Sequence, residues 1–320
     1  MTMPGMITAL AGGVGGARFL DGLVQEAGAE NVAAIVNTAD DFQLYGLHIS
    51  PDIDTVLYTL AGLADPVNGW GIAGDTKSTL AGIASYGEEP WFQLGDRDFA
   101  THILRSAWLA EGMSLTDATN RLRSQLDLQS PVLPMTDQTV ATIIDTPDGK
   151  LAFQDYFVRR RQQDEVTGVT FEGISAAQPT SIALTAIQTT SMIMLAPSNP
   201  IVSIGPILEI GAYRQALSDR VVPSIAVSPI IGGKALKGPA DKMLSSLGHE
   251  STALGVARIY AGLIDGFVID GIDSHLAPEI ERLGMSVHVT DAIMRDVPDR
   301  ARLAAEVVAF GQSLRVGIPA

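Results

Sequence analysis

The stretch MITALAGGVGGARFLDGLVQEAG (Met6–Gly28) decides the fold class of this chain. A short apolar run ends at glycines and an amphipathic helix pattern follows, with AAIVN (Ala33–Asn37) as the next strand candidate. Strand, glycine turn, helix and strand begin a right-handed βαβ unit, which requires a parallel sheet. Later apolar, unalternating runs are typical of buried parallel strands; they are SMIMLAPSNP (Ser191–Pro200), SIAVSPIIGG (Ser224–Gly233), FVIDGID (Phe267–Asp273) and MSVHVTD (Met285–Asp291). We therefore predict a doubly wound, Rossmann-like α/β fold.

The middle of the chain changes character. GDRDFATHILRSAWLAEGMSLTDATNRLRSQL (Gly95–Leu126) has apolar residues at helical spacing, and short strand candidates follow from Thr139 to Phe171. The sequence shows no internal repeat, low-complexity tract or linker. We predict one α/β domain over residues 1–320, with a helical and β-rich subdomain inserted at about residues 70–175.

Composition excludes several classes of protein. With 21 basic and 36 acidic residues the formal net charge is −15, which argues against nucleic-acid binding. The absence of cysteine excludes disulfides, thiolate metal sites and cysteine nucleophiles, and fits a cytoplasmic location. The uncharged stretch Gly173–Leu208 is interrupted by prolines, so we predict no membrane span. The N-terminus lacks the basic flank of a signal peptide.

Four aspartates fall in two pairs within NTADDFQLYGLHISPDIDT (Asn37–Thr55), on loops beside the glycine turn. They are Asp40, Asp41, Asp52 and Asp54. Carboxylates gathered beside backbone N–H groups suit a hard cation and a phosphate. The alternative is structural, because Asp also caps helices and forms Asx turns. Metal-assisted phosphoryl transfer is the first hypothesis.

The glycine turn itself is not a complete nucleotide-binding fingerprint. Arg18 stands at the third glycine position of a dinucleotide motif, and no Gly-Lys-Ser/Thr follows as in a Walker A loop. Glycines followed by a helix N-terminus nevertheless allow close backbone approach and favour an anion. A plain, tight βα turn is the alternative.

Other polar loops fall at the same predicted edge of the sheet. APSNP and SPIIGGKALKGPAD place Ser198, Ser228 and two lysines, Lys234 and Lys237, beyond strand ends, where α/β sheets bind ligands. Arg97 in GDRD is either a bidentate donor to a phosphate or heterocycle carbonyl, or a salt-bridged surface residue. The histidines show no paired metal spacing, and His102 is predicted to be a packed core residue.

These blocks together resemble the 2-phospho-L-lactate transferase family of coenzyme F420 biosynthesis. The matching segments run in order over nearly the whole chain, from about Gly12 to about Met294; they are GGVGGARFLDGL, NTADDFQLYGLHISPDIDTVLYTLAG, GWG, LGDRDFATHILRS, LPMTD, FQDYFV, APSNPIVSIGPIL and SPIIGGKALKGPADKML. One mild departure is Ala39, which stands where many bacterial members have glycine.

The resemblance implies a Mg²⁺-dependent transferase of substituted phosphate groups. Family members move a phospho-lactyl or phospho-enolpyruvyl group from a guanosine diphosphate conjugate to the terminal ribityl hydroxyl of the deazaflavin Fo, and GMP leaves. The resemblance also implies a Rossmann-like core with an inserted helical region and a homodimer. Two alternatives are a non-catalytic, nucleotide-sugar-binding regulatory protein of the same fold and an NAD-dependent dehydrogenase. The sequence does not reveal whether the acid is lactate, enolpyruvate or glycerate.

The resemblance also assigns roles residue by residue. Asp54 and Arg97 match deazaflavin contacts, and Asp41, with Asp52 or Asp54, matches the acidic metal cluster. Our hypothesis has Asp41 and Asp54 hold Mg²⁺, with Asp54 or Asp52 as the catalytic general base, if one is needed. We expect Asp54→Asn to reduce turnover severely and to leave the fold intact. The residues that match the guanosine diphosphate region are Gly12, Gly13, Gly15, Gly16, Ser198, Asn199, Ser228, Gly232 and Gly233.

Overall fold

The computed structural model describes residues 5–314, which form alternating strands and helices. In chain order the strands are β1 (Ile7–Ala11), β2 (Val32–Val36), β3 (Phe42–Leu44), β4 (Leu47–Ile49), β5 (Val132–Pro134), β6 (Ala141–Thr146), β7 (Gly149–Ala152), β8 (Gly168–Glu172), β9 (Met192–Leu195), β10 (Ser224–Val227), β11 (Ile230–Ile231), β12 (Lys234–Ala235), β13 (Gly266–Asp270) and β14 (Ser286–Thr290). The helices are α1 (Gly13–Ala27), α2 (Pro51–Leu60), α3 (Ser78–Ser85), α4 (Asp96–Ala110), α5 (Leu115–Gln125), α6 (Ser181–Thr189), α7 (Ile204–Glu209), α8 (Gly211–Ser218), α9 (Ala240–Ser246), α10 (Ala253–Tyr260), α11 (Ala277–Glu281) and α12 (Val297–Ser313).

A seven-stranded sheet in the order β14-β13-β10-β9-β1-β2-β5 forms the centre of the molecule. Each neighbouring pair is parallel. The chain starts in the middle of the sheet, builds outward through β2 and β5, and then returns to the other side of β1. That reversal is the topological switch point of a doubly wound fold, so the predicted fold class is confirmed.

Apolar side chains cover both faces of this sheet, as the unalternating strand sequences predict. In β1, Ile7, Ala9 and Ala11 join a core formed with α1, α2, α5 and α12. Leu10 points to the opposite core, formed with α6, α7, α8 and α10. Burial on both faces fixes the strand register, because a shift by one residue would exchange the two side-chain sets.

The inserted region has two parts in the structure. The β3–β4 hairpin and α3–α5 lie between β2 and β5, whereas the small β7-β6-β8 sheet follows β5. The single insertion predicted at about 70–175 is therefore interrupted by β5, which pairs with β2 in the central sheet. At three residues, β5 is too short to give a periodic signal. No helix within residues 5–314 is both long enough and apolar enough to cross a membrane.

Candidate active site

A cavity of about 610 Å³ opens at the carboxyl ends of β1 and β9, beside the switch point. Its volume is in the range of small-molecule sites. The wall combines acidic, basic and aromatic side chains from every major predicted loop. Polar and glycine members are Gly12, Gly13, Gly15, Arg18, Asp40, Asp52, Asp54, Thr55, Asn68, Gly71, Gln93, Asp98, His102, Gln154, Ser198, Asn199, Ser203, Ser228, Lys237 and Gly238; aromatic members are Tyr58, Trp70, Phe92, Phe153 and Phe157.

The glycine turn packs tightly against two other loops of the wall. Gly12 N–H donates to Ser198 Oγ at 3.1 Å, and Gly13 N–H donates to Asp52 Oδ1 at 2.8 Å. A Cβ on Gly15 would overlap the carbonyl oxygen of Pro197, and one on Gly16 would lie 2.6 Å from Ser198 Oγ. The glycines therefore allow the loops after β1 and β9 to meet. Two N–H groups of the turn are therefore bonded within the protein rather than free for an anion.

Asp40 and Asp52 are buried carboxylates in the cavity wall. Asp52 Oδ2 accepts from Asn37 Nδ2 at 3.0 Å, whereas Asp40 Oδ1 is buried with no hydrogen-bond partner. Burial raises the pKa of Asp52 to about 6, against the hydrogen bonds from Asn37 and Gly13. Burial, followed by the charge of Asp52, raises the pKa of Asp40 well above its usual value. A buried carboxylate oxygen without a partner, such as Asp40 Oδ1, is stabilised when it binds a cation or a proton.

Asp41 lies outside the cavity wall, and its side chain is 8% exposed. Its Oδ2 accepts from Ser50 Oγ at 2.7 Å and lies 3.0 Å from His48 Nε2, while its Oδ1 has no partner. Burial raises the pKa of Asp41 despite these two hydrogen bonds. Over residues 5–314, no three or more His, Asp or Glu side chains cluster as a metal site. Magnesium typically takes only one or two protein carboxylates, so this finding leaves a site at the aspartate loop open.

Asp54 belongs to a buried charge network with Arg105, which has no exposed surface. Arg105 Nη1 donates to Asp54 Oδ2 at 3.0 Å, and its Nη2 pairs with Asp54 Oδ1. Burial alone would lower the pKa of Arg105, but the Asp54 carboxylate raises it overall. Both Asp54 oxygens are thus occupied by a guanidinium, which does not favour the predicted metal role. The expectation that Asp54→Asn leaves the fold intact also conflicts with this geometry, because the substitution would strand a buried cation.

His102 and Tyr58 extend the network along the wall. His102 Nδ1 lies 3.6 Å from Asp54 Oδ2, and its Nε2 lies 3.2 Å from Asp98 Oδ1. Tyr58 Oη donates to Asp98 Oδ1 at 2.7 Å. Burial, followed by the charges of Asp54 and Asp98, raises the pKa of Tyr58. His102 is 1% exposed, as the core prediction requires, yet it also borders the cavity.

The predicted nucleotide residues divide into two groups. Ser198, Asn199 and Ser228 line the cavity together with the glycine turn. Gly232 and Gly233 lie outside the cavity wall, at the tip of the β11–β12 hairpin, with φ of +56° and +78°. A two-residue hairpin turn with both φ positive favours glycine, which gives this pair a structural role.

Arg97 and Lys234 also lie outside the cavity wall. The Arg97 side chain is exposed at the start of α4, and its backbone N–H donates to Asp75 Oδ1 at 3.0 Å. Lys234 is 80% exposed and lies 3.6 Å from Asp241. Contact between Arg97 and a deazaflavin therefore remains a prediction.

Sequence reasoning did not assign three features of the wall. Arg18, on the second turn of α1, lines the cavity, although the sequence motifs gave it no role in binding. Arg105, within an ordinary helical pattern, is the buried partner of Asp54. The aromatic wall includes Phe153 and Phe157, whose rings stack at 5.4 Å. The FQDYFV block was a motif signal for this last pair.

Comparisons with known proteins found relatives that match nearly the whole chain. A family model described as 2-phospho-L-lactate transferase CofD matches residues 7–303. A phosphoenolpyruvate transferase of Streptomyces griseus is 40% identical over 315 residues, covering 97% of this chain and 99% of its own length. A 2-phospho-L-lactate transferase of Methanosarcina mazei is 40% identical over 298 residues, covering 93% and 98%.

A solved structure is similar in fold at much lower identity. A protein of the upf0052 family from Bacillus halodurans superposes with a TM-score of 0.65 at 12% identity, covering 96% of this chain and all of that one. At this identity the similarity concerns the fold alone.

Proposed function

Because this chain belongs to the 2-phospho-L-lactate transferase family, we propose that it acts in coenzyme F420 biosynthesis. It transfers a phospho-lactyl or phospho-enolpyruvyl group from a guanosine diphosphate conjugate to the ribityl hydroxyl of the deazaflavin Fo, and releases GMP. The observation that carries this proposal is the composition of one cavity, where carboxylates, basic groups, a helix N-terminus and an aromatic wall converge. A diphosphate with its cation uses the carboxylates, the basic groups and the helix N-terminus, and a flat heterocycle stacks on the aromatic wall.

The donor nucleotide is proposed to lie along the glycine turn. The first turn of α1 provides a helix N-terminus, which favours an anion. Ser198, Asn199 and Ser228 line the same cavity as the glycine turn, and they offer hydroxyl and amide groups for guanosine. Gly232 and Gly233 shape the neighbouring hairpin, so their part in nucleotide binding is indirect.

The deazaflavin is proposed to use the aromatic wall. Trp70, Phe92 and Phe157 border the cavity, and a flat tricyclic ring system gains from stacking on such faces. Asp54, held in place by Arg105, lines the same cavity, where its carboxylate can accept a further hydrogen bond. A direct contact from Arg97 would require its exposed side chain to reach into the cavity.

The orphaned carboxylate oxygens of Asp40 and Asp41 fit a hard divalent cation such as Mg²⁺. These two residues would hold it, with Asp40 facing the cavity, in place of the predicted pair Asp41 and Asp54. When bound, the cation would neutralise charge on the diphosphate oxygens during phosphoryl transfer. Asp54 then remains the partner of Arg105 in the wall rather than a metal ligand.

The proposed reaction is an in-line displacement at the phosphorus that carries the three-carbon acid. The ribityl oxygen bonds to that phosphorus, the bond to the bridging diphosphate oxygen breaks, and GMP leaves with the electron pair. Of the two predicted proton acceptors, Asp52 is the better suited, since its pKa of about 6 is near neutrality and its partners are neutral N–H groups. A loose transition state makes positioning more important than a strong base.

The first experiment is a competition assay with mass-spectrometric detection. Purified protein receives Fo, Mg²⁺ and equal amounts of the lactyl, enolpyruvyl and glyceryl conjugates of guanosine diphosphate. One dominant deazaflavin phosphodiester with equimolar GMP supports the transferase and identifies its donor. The relatives carry both donor names at equal identity, so only this assay separates them. Absence of product together with absence of Fo binding would overturn the proposal in favour of a nucleotide-sugar-binding regulator, which the comparisons do not favour.

The predicted homodimer and cytoplasmic location stay predictions. Multi-angle light scattering of the purified protein distinguishes a dimer from the 33.7 kDa monomer.

A further inference from the structure

Two basic side chains of the wall, Arg18 and Lys237, have no assigned role. Both line the cavity, and neither forms an ion pair within 4.0 Å among residues 5–314. This is notable in a chain with 36 acidic and 21 basic residues. Arg18 is half-buried on α1, and the nearby Arg300 is already paired with Asp21 at 3.0 Å.

Arg18 and Lys237 are near enough for their charges to interact, beside the first two turns of α1. Burial lowers the pKa of Lys237, and the charge of Arg18 lowers it further. Burial, followed by the charge of Arg300, lowers the pKa of Arg18. A Cβ on Gly69 would contact the Val14 side chain and lie 3.3 Å from Lys237 Nζ, so the ammonium lies next to the first turn of α1.

Backbone carbonyls hold the ammonium in this place. Lys237 Nζ donates to Asn68 O at 2.6 Å and to Val67 O at 3.3 Å. An ammonium has three donors, so one remains for a ligand. The charge of Asp65 partly offsets the effect of Arg18 on Lys237, but neither cation has an ion-pair partner within 4.0 Å among residues 5–314. An anion between the two like charges would reduce their repulsion.

We propose that Arg18 and Lys237 form an anion subsite that binds the diphosphate of the donor nucleotide beside the first turn of α1. The inference rests on the proposed function and adds the residues that neutralise the phosphate charge. A guanidinium provides a planar, paired set of donors for phosphate oxygens, and the lysine adds a point charge. Together they give an acidic protein a local field suited to an anionic substrate.

The test measures GDP and guanosine binding to the purified full-length protein by calorimetry. Arg18→Met and Lys237→Met are each expected to weaken GDP binding by about ten- to a hundredfold, the usual effect of losing a charged hydrogen bond. Guanosine affinity should change less than about twofold, because guanosine has no phosphate. Lys234→Met is the matched control, since that lysine is close in sequence but lies outside the cavity wall, and its GDP affinity should equal that of the wild type.

The outcomes separate this inference from the proposed function. If the wild type binds no GDP, the proposed function fails. If it binds GDP and both variants bind it equally well, only the anion subsite is refuted. If the variants bind GDP normally but bind the full conjugate weakly, Arg18 and Lys237 contact the carboxylate of the three-carbon acid instead. That result overturns the assignment of the two residues to the diphosphate. Thermal melting checks folding. Neither variant should melt much lower than the wild type, because no carboxylate loses an ion-pair partner and the two carbonyls that Lys237→Met releases are exposed to water.

Discussion

Replacing Arg105 with methionine tests how the predicted catalytic aspartate is held. Arg105 is 0% exposed and Asp54 is 5% exposed, and two hydrogen bonds join the guanidinium to the carboxylate. Methionine fills much of the same volume but carries no charge. The Asp54 carboxylate would then stay buried without its guanidinium partner, and His102 Nδ1, at 3.6 Å, is the substitute that residues 5–314 offer nearby.

The expected loss follows from the burial of this pair. At the 3.0 Å separation of Nη1 and Oδ2, Coulomb's law with an effective dielectric constant of about 20 gives an attraction of roughly 5–6 kcal/mol. Removal of one partner of a buried pair typically destabilises a protein by about 3–5 kcal/mol. We expect Arg105→Met to lower the free energy of unfolding by that amount, which is a large share of a typical domain's total stability.

Urea unfolding followed by far-UV circular dichroism measures this loss from the shift of the midpoint at constant slope. Arg258→Met serves as the control, because its partner Glu250 and its own side chain are about half exposed, at 54% and 48%. Loss of such a surface pair is worth less than about 1 kcal/mol.

The double variant Asp54→Leu/Arg105→Met separates the pair from its parts. Apolar replacement of both partners removes the stranded charge, so the double variant should be within about 1 kcal/mol of the wild type. A single Arg105→Met loss below about 1 kcal/mol, or a double variant that loses the sum of both singles, would refute the reasoning. The same logic applies to Asp54→Asn: a fall in turnover shows catalysis only after correction for the folded fraction.

Three further predictions test the rest of the site. Gly15→Ala should destabilise the fold by about 2 kcal/mol or more and reduce GDP binding, because its Cβ would overlap Pro197 O; an unchanged urea midpoint would contradict the close packing. Phe157→Ala should weaken Fo affinity about tenfold in a fluorescence titration and leave GDP affinity unchanged, whereas equal losses for both ligands would indicate general damage. Burial raises the pKa of Asp52 to about 6 and also raises the pKa of Asp40. In the unfolded chain an Asp has a pKa near 4, so the metal-free fold loses stability as the pH rises above that value and the two buried carboxyls lose their protons. Mg²⁺ should raise the melting temperature more at pH 8 than at pH 5, and an equal rise at both would contradict the metal site.

The sequence was sufficient to predict the fold class and the edge of the sheet at which the cavity opens. Periodicity identifies β1, α1 and β2, and the switch-point rule then brings the loops after β1 and β9 together. The observed bonds between Gly12 and Ser198, 186 residues apart, confirm that these loops meet. The strand β5 was not predicted, because its three residues are too few to show a pattern of alternating or continuous apolar side chains.

The division of labour among the aspartates could not be predicted from spacing. Asp52 and Asp54 are two residues apart at the start of α2, yet Asp52 accepts only neutral N–H donors while Asp54 pairs with Arg105 from α4, 51 residues away. A motif gives the position of a carboxylate but not its counter-charge. The counter-charge decides its role, because a carboxylate bound by a guanidinium is a poor proton acceptor, whereas one that is buried against neutral donors has a raised pKa. The motif pair therefore contains two different chemical groups, and only the packing of α4 against the site distinguishes them.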